Sequence, residues 1–122
     1  MEDREPVVVL VTVPTPEVGT RVAGALVSER LVACVNVVPG LRSIYWWQGA
    51  VHDDAELLLV MKSCRDRVPA LTARVLELHP YDLPEVVVLP IVDGSSRYLD
   101  WLRASTVPAT GGAQAFRKEG AA

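Results

Sequence analysis

His79, Cys34 and Cys64 are the side chains of this chain best suited to hold a soft or borderline metal. A neutral imidazole and ionised thiols suit copper and zinc. No Cys-x-x-Cys knuckle brings any two of them together, so a shared site must be assembled by the fold. His79 stands before Pro80 at the end of a periodic apolar run, where a histidine also interacts favourably with the end of a helix. Cys34 lies in an apolar run and reads equally as a small buried hydrophobe. If two strands pair about a turn near Gly49 without slippage, Cys34 lies nearly opposite Cys64. Two such thiols could bind Cu(I) or oxidise. A one-residue shift at Pro39-Gly40 would separate them.

Lys62 follows five apolar residues, and on a regular strand it shares a face with Glu56, Leu58 and Val60. It reads either as an anion contact or as a snorkelling lysine at a sheet margin. His52, Asp53, Asp54 and Glu56 form an acidic cluster. Side chains alternate along a strand, so these cannot all converge on one hard cation. They read as a solvated edge that discourages aggregation. Ser95-Ser96 reads as a helix cap, and there is no nucleophile elbow, phosphate-binding glycine loop or acid/base pair. The expectation is a non-enzyme.

Composition narrows the class. At 122 residues the chain is one domain, and 50% hydrophobic residues are ample for a core. A net charge of −3 without a basic stripe argues against nucleic acid. No apolar run approaches the roughly 18 residues of a membrane span. The opening Met-Glu-Asp-Arg-Glu-Pro has no signal-peptide pattern, so a cytoplasmic protein with reduced thiols is expected.

The elements follow from periodicity. Residues 7–13 are a β-branched run, read as a strand buried on both faces. Thr15-Pro16 opens a helix over 16–30. A strand from 31 to 47, interrupted at Pro39-Gly40, turns at Gln48-Gly49 into a strand over 51–63. A helix over 66–78, a strand over 85–91 and a short C-terminal helix complete the order βαββαβα. That order predicts an α+β, ferredoxin-like sandwich over 7–107, with a flexible segment at 1–6 and a disordered tail at 108–122. Each hairpin arm of about 15 residues would reach roughly 50 Å. The radius of gyration for this length is only about 14 Å. Tyr45, Trp46 and Trp47 should therefore overhang the core, and adjacent tryptophans face opposite ways. They are read as anchors of a subunit interface.

Ala33-Cys34-Val35-Asn36, Ser43-Ile44-Tyr45-Trp46-Trp47-Gln48-Gly49, His79-Pro80-Tyr81, Leu83-Pro84-Glu85 and Tyr98-Leu99-Asp100-Trp101 stand in this order. In this the chain resembles the CutA divalent-cation-tolerance family over about 7–105. The resemblance implies a homotrimer with sheets around a threefold axis and hairpins exchanged between subunits. It implies a part in tolerance of copper and other divalent metals, an architecture similar to the PII signalling trimers, and no carried-over reaction. It also suggests a cleft between subunits in which Lys62 would meet Tyr81, Glu85 and Trp101 around a small anion. Relatives in which copper ligation is proposed are similar in having a cysteine late in strand 1 and a histidine pair before the Pro-Tyr. Here those positions hold Val11, and Leu78 followed by His79. The expectation is thus weak binding of copper or another divalent metal, with no organic cofactor, nucleic acid or membrane. A PII-like ligand sensor and a scaffold for a protein partner stand as alternatives.

Overall fold

A computed structural model of the chain describes residues 4–108. The valine run forms β1 (Pro6–Val13), one of the two inner strands of the sheet. Its odd residues Val7, Val9, Val11 and Val13 are fully buried, whereas Val8 and Leu10 are only half-buried. The expectation of a strand buried on both faces is therefore corrected: one face is core and the other is open. Val9 and its odd neighbours pack with Val22, Leu26, Leu59, Met61, Leu71 and Val75 in one cluster.

Helix α1 (Pro16–Ser28) starts where Thr15 Oγ1 accepts the Val18 N–H at 3.2 Å, with proline in the first turn. Gly19 is buried, and a Cβ there would lie 3.3 Å from Val13 Cγ2, so the missing side chain lets α1 close on β1. The helix ends in a left-handed residue, Arg30, at φ 60. Arg30 N–H donates to Val27 O, and the N–H groups of Leu31 and Val32 donate to Leu26 O. This is the Schellman closure, with arginine where glycine is preferred. It ties 31–32 to the helix, which is why β2 begins at Cys34 rather than 31.

Strands β2 (Cys34–Trp47) and β3 (Ala50–Cys64) form the long hairpin. Gln48 and Gly49 both take positive φ, 51 and 81, as a two-residue type I′ turn requires. The expected bulge is present: Val38 pairs with Leu58 and Leu41 with Glu56, with Gly40 at φ 81. β1 covers β3 only from Leu57 to Cys64. Residues 50–56 therefore pair with β2 alone, as an arm reaching roughly 20 Å beyond the sheet.

A 3-10 turn, Arg65–Arg67, replaces the expected first turn of α2 (Val68–Leu78). Leu71 and Val75 are its buried stripe. His79 leaves the helix at ψ 137, as the residue before a proline must. β4 is shorter than expected, Val87–Pro90, and pairs with β1. α3 (Ser96–Ser105) is capped by Ser95, whose Oγ accepts from Tyr98 N–H. Among the described residues the result is a mixed α+β fold: three α-helices and a four-stranded sheet in the order β2-β3-β1-β4, each pair antiparallel.

The open sheet face carries two largely apolar rows, Val38–Leu58–Thr12 and Asn36–Val60–Leu10–Val87, each with one polar end. Val38 and Val87 are 42% and 43% exposed, and Leu58, Val60 and Leu10 half-buried. α3 covers only one end of this face, where Thr106 Oγ1 donates to Cys64 Sγ and Tyr98 Oη lies 3.7 Å from Cys34 Sγ. Of the segment expected to be loose at the N-terminus, Pro6 is in β1 and Arg4 is held by Asp66 at 2.5 Å, Arg103 O at 2.6 Å and Thr106 Oγ1 at 3.0 Å. Apart from Pro108, the expected tail lies outside the described residues.

Candidate functional site

The hairpin arm continues the open face of the sheet. Pairing puts Leu41 with Glu56, Ser43 with Asp54, Tyr45 with His52 and Trp47 with Ala50 on that face. Ile44, Trp46 and Val51 fall on the other, at 61%, 71% and 67% exposure. The α2–β4 loop folds against the base of the arm. His79 anchors it: the buried imidazole donates from Nε2 to Thr12 O at 2.8 Å and accepts the Tyr81 N–H at Nδ1, 3.1 Å. Those two bonds require the neutral ring with its proton on Nε2. The Tyr81 ring packs tilted on His79, 4.7 Å between centroids, and its hydroxyl donates to Glu56 Oε2 at 2.8 Å.

Beneath Tyr81 lies a hollow of about 520 Å³, lined in part by Thr12, Tyr45, Trp47, Glu56 and Glu85. Glu56 is only 8% exposed, an unusual place for a carboxylate on an arm otherwise open to water. Tyr45 rests on His52, stacked at 5.3 Å, and donates to Asp54 Oδ2 at 2.5 Å. Arg42 grips Asp53 through two hydrogen bonds of 2.9 and 2.6 Å, which neutralises both charges at the rim.

All three tyrosines hold their protons more tightly than usual. Burial, then the bond to Glu56, raises the Tyr81 phenol. The bond to Asp54 raises Tyr45, and burial followed by the contact with Cys34 pushes Tyr98 up to about 12. The fold favours the neutral phenol, so this stabilisation is whole below the ordinary value of 10.0 and is lost as pH rises through the raised values. Phenolate absorbance should therefore appear only above pH 10 in folded protein, with stability declining between pH 10 and about 12. A single absorbance step at the ordinary tyrosine position in folded protein would contradict these contacts.

The candidate metal ligands are not brought together. Cys34 pairs with Lys62, and Cys64 pairs with Pro6 of β1. The expected juxtaposition fails for two reasons. The turn is centred between residues 48 and 49, and the bulge adds a second one-residue shift. Cys64 is fully buried, Cys34 partly. His79 contacts Thr12, which pairs with Leu58, four residues along β3 from the partner of Cys34. Among the described residues, no group of three or more His, Cys, Asp or Glu is placed to hold a metal.

The expected ligand cleft is likewise divided within one chain. Tyr81 and Glu85 line the hollow, whereas Lys62 donates to Asn36 Oδ1 and Trp101 packs against Tyr98, 5.5 Å between centroids. Sequence reasoning missed Glu56 as part of the site. Strand parity placed it correctly, but its importance comes from Tyr81, whose loop has no periodicity to locate it. Tyr45 and Trp47, read as interface anchors, also form walls of the hollow.

The sequence model of the CutA1 divalent ion tolerance protein family matches residues 7–105. The chain belongs to this family. The divalent-cation tolerance protein CutA of Thermus thermophilus is 59% identical over 99 residues, covering 81% of this chain and 96% of that one. The solved T. thermophilus structure superposes with a TM-score of 0.82 at 57% identity, covering 84% of this chain and 99% of that one. CutA1 from Oryza sativa superposes at 0.84 with 49% identity, covering 89% and 100%. In sequence, the chain spans only 56% of the longer chloroplastic rice CutA 1. The CutA structure from Archaeoglobus fulgidus, 27% identical with a TM-score of 0.81 over 84% and 99% of the two chains, is described as periplasmic. The relatives of this CutA-family chain thus do not carry the cytoplasmic expectation. No helix among the described residues is long and apolar enough to cross a membrane.

Proposed function

We propose that this chain acts in the cytoplasm as a non-enzymatic, ferredoxin-like homotrimer in tolerance of copper and other divalent metals, binding the ions weakly. The observation that carries the reading is the family match across 7–105. The open sheet face supports assembly. Half-buried Leu10, Leu58 and Val60 and exposed Val38, Val87 and Leu89 are the composition of a subunit interface. Dispersed ligands support weak binding: Cys34, Cys64 and His79 each offer one donor, and a borderline metal held firmly takes three or four. His79 can join only by giving up its bond to Thr12 or Tyr81.

Equilibrium dialysis of the full chain against Cu²⁺ and Zn²⁺ tests this. The expected result is saturable uptake that gel filtration strips away. No uptake, or a stoichiometric metal that survives gel filtration, overturns weak binding. A PII-like sensor of a small anion is the second reading. It is favoured by Lys62, which stands on the open face where an assembled neighbour would meet it. Its mark would be an anion-dependent thermal shift abolished by Lys62→Met.

A further inference from the structure

We draw no further inference here: the strongest candidate, the half-buried Arg67 at the start of α2, whose sealed Nε has no hydrogen-bond partner among the described residues, is a single cation at a helix N-terminus, and nothing beside it points to a ligand.

Discussion

If the open sheet face closes against other copies as proposed, Leu10→Glu is expected to leave a monomer with its secondary structure intact. Leu10 sits in the row Asn36–Val60–Leu10–Val87 on the open face, half-buried in the single chain and away from the helices. In one chain a glutamate there reaches water. Closed against another subunit it would be a carboxylate beside Val60 and Val87, and Lys62, the cation on this face, already donates to Asn36, so the buried charge is poorly compensated and costly enough to shift its own titration or break the contact. Light scattering at micromolar concentration should report about 13 kDa for the variant, the single-chain mass of 13.3 kDa, beside a larger wild type. A variant that keeps the wild-type mass and circular dichroism would show that this face is not the interface.

Leu59→Ala acts on the other face of the sheet and should do the opposite. Leu59 pairs with Val11, is fully buried, and belongs to the core cluster with Val22, Leu26 and Leu71. Deleting its side chain removes apolar burial and leaves a cavity that the flanking helices close only in part. The expected loss is about 3 kcal/mol, within the usual range for buried leucines. Denaturant unfolding at fixed protein concentration reads it, since assembly makes stability concentration-dependent. The transition midpoint should fall with the slope unchanged. A loss below about 1 kcal/mol would mean that α1 and α2 do not rest on this residue as described.

These two substitutions show where the sequence was legible. Alternation along β3 places Glu56, Leu58, Val60 and Lys62 on one face, and the half-buried Leu58, Val60 and Lys62 alternating with the buried Leu57, Leu59, Met61 and Ser63 bear that out. The Gln48-Gly49 turn, the bulge at Pro39-Gly40 and the Ser95 cap were equally readable, because each depends on local backbone chemistry. Register was not. It accumulates the turn centre and the bulge together, and that double shift set Cys34 beside Lys62 instead of Cys64. Helix ends were also displaced, as at Arg30, where an αL arginine does the work usually signalled by glycine.

The hollow was the least legible part. Its residues come from β1, both arms of the hairpin and the 79–85 loop, and the loop is positioned by His79 bonding to Thr12. Nothing periodic links those segments. The sequence did single out Tyr81 and Glu85, in a cleft between subunits with Lys62 and Trp101, and within one chain those two pairs stand apart. Only an assembled neighbour could bring those two pairs together.

In the proposed trimer, three copies of this chain close one another's open sheet faces. Native mass spectrometry of the full chain, purified without chelator or metal-affinity steps, tests it most directly. A dominant species near 40 kDa, three times 13.3 kDa, that persists on dilution to micromolar concentration is expected. A dominant 13.3 kDa species under those conditions would contradict it.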